Sequence, residues 1–144
     1  ETMTLQQLLD RKNTDMFFAR PSDELFDAIE SMCQHQVGSL LVRSDAGDLL
    51  GIITERDILR FCSKRPDTLK GVQISDVMTR ELIVATPDVS TDDAMSMMTD
   101  HRFRHLPIMD KGKPVGVISI GDLVKHKLKD VSVEVKYLRD YISA

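Results

Sequence analysis

Apolar and polar residues alternate along this chain with two periods, and the pair of periods occurs twice. Leu25, Ala28, Ile29 and Met32 fall at i, i+3, i+4 and i+7, which is one apolar face of a helix. Val89, Ala94, Met95 and Met98 do much the same further on. A short apolar piece precedes each helix, Met16-Phe17-Phe18-Ala19 and Leu82-Ile83-Val84-Ala85, and a proline, Pro21 or Pro87, separates the two. Ser22 or Asp23 is expected to cap the first helix, and Ser90 or Thr91 the second. Two strands then follow in each half. Leu40-Leu41-Val42 turns through Asp45-Ala46-Gly47-Asp48 into Leu49-Leu50-Gly51-Ile52-Ile53, and Leu106-Pro107-Ile108-Met109 turns through Asp110-Lys111-Gly112-Lys113 into Val115-Gly116-Val117-Ile118. Both turns have the Asp/Gly chemistry of hairpins. A second helix is expected near Asp57 and again near Asp122.

The halves are copies of one another. Pro21, Asp27, Ala28 and Met32 meet Pro87, Asp93, Ala94 and Met98 at an offset of 66, as does His35 with His101. After one extra residue in the first turn, Gly51-Ile52-Ile53-Thr54-Glu55-Arg56-Asp57-Ile58 meets Gly116-Val117-Ile118-Ser119-Ile120-Gly121-Asp122-Leu123. Ile74-Ser75-Asp76-Val77-Met78-Thr79 opens the second copy, and Thr4-Leu5-Gln6-Gln7-Leu8-Leu9 is its less similar counterpart. The expected fold is α+β (α/β), two β-α-β-β-α repeats with pseudo-two-fold symmetry. The first unit covers 1–65, a polar linker 66–72, the second unit 73–128, and a C-terminal helix 129–144. One unit of about 60 residues buries too little surface to stand alone, so the copies should cover each other.

Composition narrows the function. The chain has 144 residues, a net charge of −4 and 5% aromatic residues without Trp, so it offers neither a basic field nor base-stacking platforms, and nucleic acid is not expected as a partner. No apolar run approaches the roughly 20 residues that span a bilayer, so no membrane partner is expected either. Cys33 and Cys62 form no metal or redox motif; Cys33 reads as a small core residue and Cys62 as more exposed. A reducing, cytoplasmic setting is expected. The first residue is not Met, which leaves room for an upstream targeting segment and a processed organellar form.

Thr54-x-x-Asp57 and Ser119-x-x-Asp122 carry the candidate chemistry. A carboxylate accepts two hydrogen bonds, and a ribose presents two neighbouring hydroxyls. The hydroxyl three residues earlier and the free N–H groups of a helix N-terminus suit ribose or phosphate, and Arg56 adds a phosphate-binding fork. The competing reading makes Asp57 and Asp122 plain helix N-caps. His35, His101, His105 and His126 match no metal-ligand spacing, so no metal is expected. The chain carries no P-loop, Rossmann glycine pattern, nucleophile elbow or HExxH, so it is not expected to be an enzyme. Lys125-His126-Lys127-Leu128-Lys129 reads as a solvated face at a helix end.

Gly-Ile-Ile-Thr-Glu-Arg-Asp-Ile at 51–58, Asp76-Val77-Met78-Thr79, Arg102-Phe103-Arg104-His105-Leu106-Pro107-Ile108 and Gly-Val-Ile-Ser-Ile-Gly-Asp-Leu at 116–123, in this order, resemble the cystathionine β-synthase (CBS) domain family. The resemblance runs from about Thr4 to about Leu128. It implies a disc-like tandem pair with two clefts that takes adenosine-containing ligands: AMP, ADP, ATP, NAD(H) or S-adenosylmethionine. It also implies that each cleft draws on both repeats. One would use Thr54, Arg56 and Asp57 with Val84, Ala85 and Thr86. The other would use Ser119 and Asp122 with Ala19, Arg20, Val37 and Gly38. Arg104 and His105 match positions where some members place phosphate-binding side chains, and Ile53 and Ile118 would flank adenine. The copies differ, Glu55-Arg56 against Ile120-Gly121 and Gly38-Ser39 against Arg104-His105, so the clefts should not be equivalent. The expected function is an adenine-nucleotide-binding regulatory module acting on a partner protein still to be identified. The alternatives are a structural module with vestigial clefts and an enzyme acting on its nucleotide. Val131, Val135, Leu138 and Ile142 form an apolar stripe on the C-terminal helix, and a homodimer is expected.

Overall fold

The structure, a computed structural model, describes residues 3–12, 15–64 and 67–143. The expected boundary between first unit and linker, at 65 and 66, lies outside these residues, as do the outermost residues 1, 2 and 144.

Helix α1 (Leu5–Arg11) opens the chain, held by a capping box in which Thr4 accepts from the Gln7 amide and Gln7 accepts from the Thr4 amide. The first repeat follows as β1 (Phe18–Ala19), α2 (Leu25–His35), β2 (Ser39–Arg43), β3 (Leu49–Thr54) and α3 (Glu55–Lys64). A 3-10 turn at Ile74–Asp76 leads into α4 (Thr91–His101), β4 (His105–Asp110), β5 (Lys113–Ser119) and α5 (Ile120–Ser143). The first sheet has the order β1-β2-β3, with β1 parallel and β3 antiparallel to β2. In the second, β4 pairs antiparallel with β5. The expected opening strand at 82–85 is reduced to one parallel bridge, Ala85 to Ile108, because only Ala85 donates to Pro107 O (3.1 Å) and accepts from the Met109 amide (2.8 Å). The β4–β5 hairpin turns on Lys111 and Gly112, both at positive φ (52° and 78°), as a two-residue I′-type turn requires.

Three further details differ from the sequence expectation. The residue before α2 is Glu24, which makes no side-chain cap, while Asp23 accepts from the Arg20 amide; Ser90 caps α4 as expected. Cys33 is exposed, not core, because it stands one position past Met32 and therefore off the buried stripe. The helix begun at Ile120 continues unbroken for 24 residues instead of ending near 128, since no Gly or Pro follows Gly121, which stands in its first turn.

The two cores explain the architecture. Leu25, Ala28, Met32, Leu40, Val42 and Ile53 of the first repeat close around Ile74 and Met78 from the lead-in to the second. Ala94, Met98, Leu106, Ile108, Ile118 and Leu123 of the second repeat close around Leu5, Leu8 and Leu9 of α1. Each lead-in thus serves the other repeat. Backbone pairing repeats the exchange: Leu5 N donates to Val89 O and Thr91 N to Met3 O (both 2.8 Å), while Leu25 N donates to Val72 O and Ile74 N to Asp23 O (both 2.8 Å). Neither repeat completes its core alone, which is how two units of marginal size fold.

Candidate functional site

Strand period and helix capping build the two half-sites. In each repeat the last strand residue is a hydroxyl, Thr54 or Ser119, and the helix starts at the next residue. Asp57 N donates to Thr54 Oγ1 (3.2 Å), and Asp57 Oδ2 accepts from the Thr54 amide (2.9 Å). Asp122 N donates to Ser119 Oγ (3.1 Å), and Asp122 Oδ2 accepts from the Ser119 amide (2.9 Å). These are reciprocal boxes in which the hydroxyl residue takes the cap position and the aspartate stands three residues inside. The aspartates are therefore not N-caps; their carboxylates turn back toward the strand end. The junctions are braced alike, Glu55 N donating to Gly38 O (3.1 Å) and Ile120 N to Arg104 O (2.8 Å).

The lead-ins then distinguish the two carboxylates. Thr79 pairs with Ile52 in both directions, N to O 2.8 Å and O to N 3.0 Å, and its hydroxyl donates to Asp57 Oδ1 (2.8 Å). At the other half-site, Lys12 Nζ donates to Asp122 Oδ2 (2.5 Å) and to Val117 O (3.1 Å). Burial raises the Asp122 carboxyl, but the Lys12 hydrogen bond and charge and the Ser119 bonds outweigh it and hold the group below the usual carboxylate range.

A cavity of about 450 Å³ opens at Asp122. Ser119, Asp122, Val37, Gly38 and His105 line it, together with Lys12, Asp15, Met16, Phe17, His35, Leu41 and Val117. It lies between the two sheets. Leu40, Val42 and Ile53 face the first core and Leu106, Ile108 and Ile118 the second, so the period-2 alternation turns Leu41 and Val117 to the opposite faces, against the cavity. Ile53 and Ile118 are completely buried in the cores. They support the sheets under the cleft, and the apolar walls are Leu41 and Val117. Phe17 and His35 stack in the wall, centroids 3.8 Å apart.

His105 reaches this cavity from β4. A Cβ on Gly38 would lie 3.2 Å from both His105 Nε2 and Glu55 Oε1, so glycine at 38 leaves room for both side chains. Burial lowers the His105 pKa, with Glu55 and Asp122 pulling up and Arg104 and Lys12 pushing down. The imidazole is thereby kept neutral near pH 7, able to donate and to accept.

Other expected site residues stand elsewhere. Ala19 is buried in β1, and Arg20 is exposed and 3.5 Å from Asp45, so neither lines the Asp122 cavity. Thr54 and Asp57 are joined, with Thr79 in the position given to Val84 to Thr86; Arg56 is exposed. Ala85 is buried in the second core, Val84 and Thr86 are exposed, and the Thr86 hydroxyl is taken by Asp88 (2.5 Å). Arg104 is exposed and enters the junction through its carbonyl. Lys12, Thr79, Leu41 and Val117 stand at the half-sites in addition to the expected residues. Strand alternation marks the last two; the first two become visible only once the lead-ins are seen to cross over. No group of acidic, His and Cys side chains able to hold a metal occurs among the described residues, and no helix among them is long and apolar enough to cross a membrane.

Comparison with known proteins gives the same architecture. The CBS-domain profile matches residues 6–64 and 74–129. The chain is 42% identical over 125 residues to the CBS domain-containing protein CBSX3, mitochondrial, of Arabidopsis thaliana; the match covers 83% of this chain and 60% of that protein. The crystal structure of the CBS domain protein NE2398 superposes with a TM-score of 0.84 at 36% identity, over 89% of this chain and 99% of that one. The CBS domain pair of protein MJ0100, solved with 5′-methylthioadenosine and S-adenosyl-L-methionine, superposes with a TM-score of 0.79 at 21% identity, over 90% of this chain and 99% of that one. Duplicated repeats, strand-to-helix half-sites and these likenesses together make the chain a member of the CBS-domain family, carrying two CBS domains in tandem.

Proposed function

We propose that this CBS pair is a non-catalytic regulatory module that binds an adenosine-containing ligand in the Asp122 cleft, with the Asp57 half-site as a second, chemically different one. The observation that carries the reading is the duplicated hydroxyl–carboxylate box, one copy of which opens into a cavity of about 450 Å³, within the range of small-molecule sites. Its apolar walls, Leu41 and Val117, suit a base, Asp122 a ribose diol, and Lys12 with His105 a polar tail. The occupants of the MJ0100 pair are both adenosine derivatives, which supports the ligand class. AMP, ATP and NAD(H) are the candidates.

A ligand held between elements of both repeats favours one arrangement of them, and only its differential affinity for the two states can move a partner protein. That partner is an unidentified protein, and the module works as a homodimer. Val124, Leu128, Val131, Val135, Leu138 and Ile142 are exposed on α5 at alternating spacings of four and three, the repeat of a coiled-coil seam. The cytoplasm and an organellar matrix both suit the reading, given the mitochondrial relative. Titration calorimetry with AMP, ATP and NADH tests it. Asp122→Ala should remove one binding event and Asp57→Ala the other; unchanged affinity and stoichiometry in both variants would refute it, and product release from bound nucleotide would favour an enzyme.

A further inference from the structure

The lead-ins place different chemistry on otherwise matching carboxylates. Asp57 receives the neutral Thr79 hydroxyl, whereas Asp122 receives the Lys12 ammonium on the same oxygen that accepts the Ser119 amide. Lys12 bridges Asp122 to the Val117 carbonyl, a residue of the cavity wall, so its side chain lies across the place a ribose would take. The Lys12 side chain is only 33% exposed. A sugar that claims the Asp122 carboxylate must displace this cation or share the oxygen with it. An uncharged nucleoside that displaces Lys12 leaves a half-buried ammonium without its counter-ion, which is costly. A nucleotide brings its own anion for the ammonium to move to.

We propose that Lys12 is a specificity-determining residue of the Asp122 cleft, exchanging the carboxylate for a ligand phosphate so that the cleft selects nucleoside phosphates over uncharged nucleosides. The assignment rests on the reading that ribose binds at Asp122. The backbone of Lys12, not its side chain, ends α1, donating to Leu8 O (3.0 Å), so side-chain replacement leaves the helix cap in place.

The test is a titration of the full isotope-labelled chain with AMP and with adenosine, following the Ser119 and Asp122 amide resonances, which report this cleft alone. Lys12→Met should weaken AMP about tenfold or more, the effect of losing a charge-assisted hydrogen bond. It should leave adenosine within about twofold or tighten it. Lys12→Arg keeps the charge and should keep the preference for AMP, and it answers even if the Met variant folds poorly. Equal changes for both ligands, as when Asp15 rather than a phosphate takes the released ammonium, would overturn the assignment, as would loss of the AMP preference in the Arg variant. If neither ligand moves these amides in the wild type at millimolar concentration, the ribose reading fails first, and the Lys12 assignment with it.

Discussion

Replacing Gly51 by alanine should destabilise the whole fold, because it strikes the exchange of lead-ins. An added Cβ would lie 2.4 Å from the carbonyl oxygen of Thr79 and 2.8 Å from Met78 Cε. The first contact is with backbone, so no rotamer change relieves it. The lead-in must lift from β3, straining the two Ile52–Thr79 hydrogen bonds, the Thr79–Asp57 bond and the seat of Met78 in the first core. Overpacking costs about 1–3 kcal/mol, and each weakened backbone bond about 1 kcal/mol. A total of about 3–5 kcal/mol follows, or roughly 10–15 °C in melting temperature for a chain of this size. Gly116, the counterpart, provides the control: its Cβ would meet Leu9 Cδ2 at 2.6 Å, the end of a flexible side chain, so about 1–2 kcal/mol is expected. Gly47, with φ of 92° and no neighbour within 4 Å, should cost only the left-handed strain of about 1–2 kcal/mol. Urea unfolding of the three variants measures these values. A Gly51→Ala protein within about 0.5 kcal/mol of wild type, or one more stable than Gly116→Ala, would refute the crossed lead-ins as the source of stability.

Three further outcomes are expected. Asp57→Ala should cost about 1 kcal/mol by opening the box that starts α3, and Asp57→Asn less, in the same unfolding assay. The folded His105 pKa lies below its unfolded value near 6.5, so the folded state binds fewer protons; its stability is complete above about pH 6.5 and falls as pH drops through and below it. Melting curves from pH 8 to 5 should show this decline, and His105→Gln should flatten it. Leu128→Glu together with Leu138→Lys, both on the exposed α5 seam, should halve the particle mass seen by light scattering while leaving the monomer's melting temperature nearly unchanged.

Periodicity by itself determined a great deal here. The buried stripe Leu25, Ala28, Met32, the hairpins at Gly47 and Gly112, and the duplication of the whole unit all follow from local spacing, because each depends on residues within one helix or hairpin. The Thr54-x-x-Asp57 and Ser119-x-x-Asp122 pairs were legible for the same reason: a capping box closes within one turn. Which face of a strand meets the cleft is set by alternation but departs from the expectation for Ile53 and Ile118. Ile53 and Ile118 lie in the cores, while Leu41 and Val117 on the opposite faces line the cavity. Only the tertiary structure decided which lead-in completes which core. Leu5 and Ile74 look like equivalent starts of equivalent repeats, and nothing in their neighbourhood says that each will cross to the other copy. That choice depends on burying two incomplete apolar faces at once, a long-range condition. It places Thr79 on Asp57 and Lys12 on Asp122, and so gives two nearly identical motifs unlike chemistry.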